Sequence, residues 1–442
     1  MVFAYKMNKS VKPIPDDVYF TTTLPIIFGN TGIEAILFMF KMSFFNTFFV
    51  ARIVEMLIYC VLIDRILRKI DLGKKWIIWG ILIFPTITFM YMVYLGGYYL
   101  WTITTYLILL CIYKIYYLGK WKNYIFCFIT FFSFSLGLLG IKTLMWVIAP
   151  LGFALIIDIF WRKNKCYIML GASTVLPAVI GYVINEKILL DKYGVGSRTS
   201  LQYAPLNDIF NRFVMTLNQI LALMGWQEQV RLISIEGIMN IVVLLFLLVI
   251  CFFMILTVRN MHKIDAFDRI IFLSSVISFV ISLFVLVFTK ADISAAYLVP
   301  SVWALLFWCC IFWHKYLGED VAVRAKVIFI CMLLFFYVFS WRNMYTVFVA
   351  NREYLGEEQK LVLDILEGQG YEYGYATFWN SMPIVAGSNM EIESTNISIS
   401  EEGIYYFRWG SPKEFYDKEY YDGEVFLVLM EDEKEIFNKM LV

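Results

Sequence analysis

Ten runs of mainly apolar residues dominate this sequence, each roughly 20 residues long, the length with which an α-helix crosses the hydrocarbon core of a membrane. Of the 442 residues, 61% are hydrophobic and 17% are charged, whereas about a quarter of the residues in soluble domains are charged. We therefore predict an all-α polytopic membrane bundle of about ten transmembrane helices. The runs lie near residues 47–67, 76–95, 99–117, 123–139, 141–160, 166–185, 238–258, 269–289, 294–314 and 325–346.

The basic residues between these runs predict which side of the membrane each loop faces. Lys and Arg cluster in alternate loops, at 65–75, 114–122, 162–165, 259–269 and 315–326. The short loops on the other side carry little positive charge, and basic loops stay in the cytoplasm. The pattern therefore predicts a multi-pass protein of the cell membrane with residues 1–46, loop 186–237 and the chain from 348 to 442 outside the cytoplasm. Residues 47–347 form the predicted transmembrane domain.

The start of the chain departs from this scheme. Both ends of a ten-span protein lie on the same side, yet residues 1–30 contain no signal peptide or apolar span, and Lys6, Lys9 and Lys12 favour the cytoplasm. Either the N-terminus is outside without a leader, or a first transmembrane helix is missing from this sequence. We favour the second expectation.

Residues 348–442 predict a small extracytoplasmic α/β domain. The pattern indicates a helix over 357–366, strands over 371–378, 382–386 and 425–430, and a closing helix over 432–441. Its aromatic residues could stack on sugar rings, form the core or dock on the membrane helices. They are Tyr405, Tyr406, Phe407, Trp409, Phe415, Tyr416, Tyr420 and Tyr421.

Common catalytic signatures are missing from the chain. The two histidines, His262 and His314, lie on the predicted cytoplasmic side, and the sequence contains no glycine-rich phosphate-binding loop. A net charge of +1 without a basic, aromatic-rich cluster gives no indication of nucleic-acid binding. The eight cysteines lie within apolar runs or at their edges, which predicts packed thiols rather than disulfides or a metal site.

Charges at the outer ends of the spans are the candidate site residues, because charge in a membrane is costly and tends to mark function. Asp16 and Asp17 form either a functional pair or a solvated tail. Arg52 and Glu55 are one helical turn apart, so they form either a site or a mutual i,i+3 ion pair. Lys142 either serves a ligand or extends to the outer headgroups.

Several segments occur in an order that points to one family. Residues 32–69 contain a short apolar helix and then a span with an early Arg52 and basic residues at its end. Residues 137–150 contain Lys142 between glycines and a proline, and residues 296–300 read Ala-Tyr-Leu-Val-Pro. Together with residues 375–380 these segments resemble GT-C-fold membrane glycosyltransferases, which include the protein mannosyltransferase-like and aminoarabinose transferase-like groups. Alanine stands at 296, where that family usually has arginine.

This resemblance implies a polyprenyl-phosphate-linked sugar donor and a glycan or lipid acceptor at the outer membrane surface, in cell-envelope glycan synthesis or modification. An acidic residue of the first outer loop, here Asp16 or Asp17, would be the general base. Lys142, and less directly Arg52 and Arg198, would stabilise the leaving phosphate. No pattern demands a cofactor, and a divalent metal ion is compatible with the mechanism.

Two other classes remain open. A transporter or flippase of lipid-linked sugars would also be polytopic and aromatic, although its usual paired repeats are not evident here. A non-catalytic membrane protein would retain the fold without the base. A glycan polymerase, which uses the same kind of donor, is compatible with loop 186–237.

Overall fold

The protein is a bundle of long helices with a small mixed sheet at one end. The structure is a computed structural model, and apart from the single positions 334, 338, 342 and 345 it describes residues 2–12, 14–20, 30–69, 86–90, 98–117, 122–162, 166–193, 202–316, 356–400, 402–417 and 419–440. Within these ranges six helices are long and apolar enough to cross a membrane. Two further apolar helices, Asn123–Leu138 and Val299–Lys315, are shorter.

The helices coincide with eight of the ten apolar runs. The runs 76–95 and 325–346 lie largely outside the described residues, so the number of ten crossings stays a prediction. We number the helices before the sheet as α1 (Val2–Ser10), α2 (Asn30–Phe38), α3 (Phe44–Lys69), α4 (Tyr98–Tyr117), α5 (Lys122–Leu138), α6 (Ile141–Thr143 continued by Leu144–Ile148 and Ala149–Arg162), α7 (Cys166–Ile184 continued by Asn185–Leu189 and Leu190–Tyr193), α8 (Ile209–Leu223), α9 (Ile235–Arg259), α10 (Ala266–Phe288) and α11 (Val299–Lys315).

The expected loop 186–237 contains more helix than its sequence indicates. Helix α7 continues to Tyr193, and α8 packs against α10. Arg212 of α8 donates hydrogen bonds to the carbonyl oxygens of Leu286 and Ala291 at the end of α10. Helix α8 has only 15 residues and mixes Asn, Arg and Gln with its apolar face, so no span-length run marks it.

Helices α5 and α7 approach each other at two glycines. A methyl group on Gly137 would collide with the Ala178 carbonyl oxygen, and one on Gly181 would collide with the Phe134 carbonyl oxygen. Small residues let membrane helices approach this closely, and van der Waals packing then holds them together. The contact fixes the end of α5 and therefore the turn that leads into α6.

The C-terminal region is the predicted small α/β domain. Its sheet has the order β3-β2-β1-β4, with β1 parallel to β2 and β4, and β2 antiparallel to β3. Its elements are α12 (Glu357–Gln369), β1 (Tyr373–Thr377), α13 (Phe378–Gly387), β2 (Glu393–Ser400), β3 (Gly403–Tyr406), β4 (Val425–Val428) and α14 (Glu431–Met440).

The strand predicted over 382–386 is wrong, because these residues belong to helix α13. Parallel strands β1 and β2 need a crossover, and a helix supplies it. Ser381, Ile384 and Val385 are the buried residues of α13, and their i, i+3, i+4 spacing is helical. A short apolar run does not by itself separate a strand from a buried helix.

The C-terminal domain packs against the N-terminal segment at the end of the bundle where α3 begins. The Tyr19 amide donates to the Ser411 carbonyl oxygen at 2.9 Å, and the Lys413 amide donates to the Asp17 carbonyl oxygen at 2.7 Å. Apolar contacts join Ala4 and Phe38 to Phe44 and Val385. The N-terminal segment and the C-terminal domain therefore lie at the same end of the bundle.

Replacing Gly181 by Ala is expected to destabilise the bundle, because the added methyl group forces α5 and α7 apart. Overpacking of this kind costs about 1–3 kcal/mol. The matched control is Gly171→Ala in the same helix, where the nearest atom to an added methyl group, Leu155 Cδ1, is 3.9 Å away. Thermal unfolding in detergent should show a lower midpoint for Gly181→Ala alone, and equal midpoints for both variants would contradict the close helix contact.

Candidate functional site

Lys142 lies in an aromatic cluster formed by three separate segments. Its Nζ is 5.2 Å from the centre of the Tyr297 ring. The Trp146 ring is 6.1 Å from the Tyr297 ring and 5.9 Å from the Tyr99 ring. We call Lys142, Tyr99, Trp146 and Tyr297 the aromatic cluster. It brings together two segments that carry the family resemblance, residues 137–150 and 296–300.

The local backbone explains how Lys142 reaches this position. Gly140 has φ 95°, a left-handed conformation that suits glycine, and it reverses the chain between α5 and α6. The next turn, Leu144–Ile148, is π-helical and contains Trp146. Turns of this kind are frequent at functional sites because they change the direction of side chains.

Serine hydroxyls of α10 and α11 connect to the aromatic cluster through the Trp146 carbonyl oxygen. Ser282 and Ser301 hydroxyls are 2.5 Å apart, and Ser278 and Ser301 hydroxyls are 3.1 Å apart. The Ser278 hydroxyl also contacts the Trp146 carbonyl oxygen at 3.4 Å. These bonds draw α10, α11 and the π-helical turn together. Trp146 is 3% exposed, and its indole Nε1 has no hydrogen-bond partner among the described residues.

Asp16 and Asp17 lie in the segment that pairs with the C-terminal domain. Asp16 accepts a hydrogen bond from Lys12 Nζ at 2.6 Å, and Asp17 is 3.4 Å from Lys6 Nζ. The hydrogen bond from Lys12 lowers the pKa of Asp16, and the charges of Lys192 and Lys413 act in the same direction. Asp16 is thus held as a carboxylate on an exposed surface, and it is the weaker proton acceptor for that reason.

The acidic pair and the aromatic cluster lie at the same end of the bundle. Val18 and Phe20 pack on Leu190 in the last turn of α7. Helix α7 also contacts the end of α5 through Gly181, and α5 leads directly to the turn before Lys142. One helix therefore supports both groups.

Arg52 forms a buried triad with two carboxylates. Its guanidinium donates to Glu55 Oε2 and to Glu34 Oε1, each at 2.7 Å. The i,i+3 ion pair with Glu55, one of the two alternatives that the sequence left open, is present, and α2 adds Glu34, which the sequence did not indicate. Arg52 Nε and Glu55 Oε1 have no hydrogen-bond partner among the described residues. Arg198, the remaining predicted phosphate ligand, lies outside the described residues.

A second charged network, which the sequence analysis did not identify, lies where α6 ends and α10 begins. Arg269 bonds to Asp158, and both side chains are at most 1% exposed. Beside them, Asp268 accepts hydrogen bonds from Lys315 Nζ at 2.7 Å and from the Tyr316 hydroxyl at 2.6 Å. Asp158 and Arg269 are 111 residues apart in the chain. The sequence indicated this ion pair only through their opposite charges near the ends of two apolar runs.

The aromatic residues of the C-terminal domain divide between core and surface. Phe415 is 2% exposed and its carbonyl oxygen accepts a hydrogen bond from Tyr373. Burial raises the pKa of Tyr416 to about 12, and its hydroxyl contacts Ser411. Tyr405 and Tyr406 stay exposed, at 51% and 43%. The rings of these two tyrosines are therefore accessible for stacking on a sugar.

Within the described ranges, no group of three or more His, Cys, Asp or Glu side chains could hold a metal ion. The six described cysteines are free thiols in helices, and the predicted packing holds for Cys309 and Cys310, which are buried, but not for Cys127 and Cys251, which are exposed. The chain matches no protein-family model, no curated protein and no solved structure. The site is therefore interpreted from its own chemistry.

Replacing Arg52 by Met is expected to cost about 3–5 kcal/mol of stability, because it leaves two buried carboxylates without their cation. Arg68→Met is the matched control in the same helix, since Arg68 pairs with Asp64 at a side-chain exposure of 65%. An exposed pair contributes at most about 1 kcal/mol. Thermal unfolding of both variants in detergent measures the difference. If Arg52→Met unfolds at the wild-type temperature, the triad has no structural role.

Proposed function

We propose that this protein is a membrane glycosyltransferase that uses a polyprenyl-phosphate-linked sugar and acts at the end of the bundle that carries the C-terminal domain. The observation that carries this proposal is the contact of Lys142 with Tyr297. Two segments that separately resemble GT-C glycosyltransferases meet there, although Lys142 and Tyr297 are 155 residues apart in the chain. The proposal further takes this end to be extracytoplasmic, as the distribution of basic loops predicts.

In the proposed reaction, an acceptor hydroxyl oxygen attacks the anomeric carbon of the donor sugar. The bond between that carbon and the phosphate oxygen breaks, and the phosphate leaves with the electron pair. The ammonium group of Lys142 stabilises the negative charge that grows on this oxygen, and the apolar walls strengthen the interaction. Tyr99 and Tyr297, which are partly exposed, offer aromatic faces on which a sugar ring can pack, and the buried Trp146 supports them.

The proton of the acceptor hydroxyl passes to a carboxylate of the N-terminal segment. Asp17 is our first choice, because its contact with Lys6 at 3.4 Å is longer than the 2.6 Å hydrogen bond between Lys12 and Asp16. The hydrogen bond from Lys12 lowers the pKa of Asp16, which makes Asp16 a weaker base than an aspartate without such a partner. Arg52 is already shared by Glu34 and Glu55, so we assign it to holding α2 on α3 rather than to binding phosphate.

Lys142→Met is expected to lower turnover by about 10²–10³-fold, because it removes the cation beside the leaving phosphate. Lys142→Arg should retain part of the activity. Lys290→Met is the control, since Lys290 is an exposed cation at the same end that contacts Gln202. Sugar transfer from a panel of purified polyprenyl-phosphate donors measures all three variants. Equal rates for Lys142→Met and the wild type would exclude the assigned role.

Asp17→Asn is expected to lower the rate by about 10²–10⁴-fold with little change in donor binding, because an amide cannot accept the proton. Asp16→Asn should have the smaller effect, since Asp16 is already paired with Lys12. Donor binding and single-turnover transfer, measured on the same preparations, separate the two steps. If wild-type protein binds the donor and never transfers sugar, while vesicles show donor crossing the bilayer, the protein is a flippase instead.

A further inference from the structure

An apolar groove lies between four helices, away from the aromatic cluster. Its volume is about 600 Å³, and α8, α9, α10 and α11 line it. Ile220, Phe279 and Val302 represent the walls, and among the described residues Arg259 is the one charged residue of the lining. The groove is open on one side, and α9 forms much of that rim.

Helix α9 presents a continuous stripe to this groove. Its lining residues recur with helical spacing from Leu247 to Arg259, that is at 247, 250, 251, 254, 255, 258 and 259. At 1.5 Å per residue this stripe is about 18 Å long. One leaflet is half of a hydrocarbon core that is about 30 Å thick, so the groove has the depth of a single leaflet.

The open side of the groove faces the surroundings of the bundle. Ile255 is 66% exposed and Val258 is 63% exposed, in a helix whose apolar window is only 17% buried. Such a surface in a membrane protein contacts lipid. An acyl chain can therefore enter the groove sideways from the bilayer.

Arg259 lies at one end of the groove and lines it with the apolar part of its side chain. It is the last residue of α9, and no carboxylate among the described residues pairs with it. The buried cation Arg269, by contrast, is bonded to Asp158. A guanidinium at the membrane surface binds phosphate through charge-assisted hydrogen bonds. An apolar groove as deep as one leaflet, with a guanidinium at its end that pairs with no carboxylate of the described residues, matches the shape and charge of a phospholipid.

We propose that this groove binds one acyl chain of an anionic diacyl phospholipid from the leaflet at the Arg259 end, with the lipid phosphate on Arg259. Charge complementarity selects an anionic lipid, because a zwitterionic headgroup brings its own cation to the guanidinium. The groove depth selects a chain that stays in one leaflet. A polyprenyl chain that spans both leaflets would extend beyond it. The site is separate from the proposed sugar-transfer site and does not depend on it.

Native mass spectrometry of the full-length protein in mild detergent tests this proposal. The probes are phosphatidylglycerol and phosphatidylcholine with identical acyl chains. We expect the wild type to retain phosphatidylglycerol preferentially and Arg259→Gln to retain it about tenfold less. Lys263→Gln is the matched control, because it removes an equal charge four residues away without lining the groove. Equal losses in both variants would overturn the site, since they would indicate only general attraction to surface charge.

A second measurement locates the chain. Phosphatidylglycerol with a photoactivatable group on its acyl chain should cross-link to the α9 segment around Cys251, and Val276→Trp should reduce this labelling by filling the groove. Cross-links confined to other helices would overturn the proposal, as would unchanged labelling in a folded Val276→Trp variant. Displacement of the label by polyprenyl phosphate, but not by unlabelled phosphatidylglycerol, would also overturn it.

Discussion

Pairing of charges inside an apolar bundle is the constraint on which much of this structure depends. An unpaired charge in a low-dielectric interior costs several kcal/mol, so each buried ion must find a partner with good geometry. Arg52 meets this requirement by drawing helix α2 back onto α3 through Glu34, in addition to Glu55 on its own helix. Arg269 and Asp158 meet it by joining α10 to α6. The charged residues thus select which apolar helices become neighbours, a choice that hydrophobicity alone does not make.

Each of the two candidate binding regions contains one cation, Lys142 or Arg259. Lys142 contacts an aromatic face, and Arg259 ends a groove without a carboxylate beside it in the described part of the chain. The Arg259 guanidinium can therefore meet an incoming anion. The two regions lie at different places in the bundle, so they would take different ligands: a donor phosphate at Lys142 and a structural lipid at Arg259.

Parts of the fold and of the site could be predicted because they depend on local pattern. Long apolar runs specify helices such as α9, and i,i+3 spacing specifies the Arg52–Glu55 pair. Strand β2 was missed because it is polar: Thr395 and Asn396 are buried through hydrogen bonds to the Phe415 and Trp409 carbonyl oxygens rather than through apolar contact. Glu34 and Tyr297 were beyond prediction from spacing, since only the folded arrangement brings them to Arg52 and Lys142.

Contacts with the C-terminal domain hold Asp17 in position more than contacts within its own segment do. Its carbonyl oxygen accepts from the Lys413 amide, and its neighbour Val18 bridges to Pro412. Lys6 contacts both Asp17 and Glu414, and these acidic partners raise its pKa although partial burial opposes the change. The N-terminal segment therefore depends on the sheet domain for its place beside α7. The C-terminal domain, through Lys413 at 396 residues further along the chain, thus becomes a positioning element for the acidic pair, which gives a physical reason for its location at this end of the bundle.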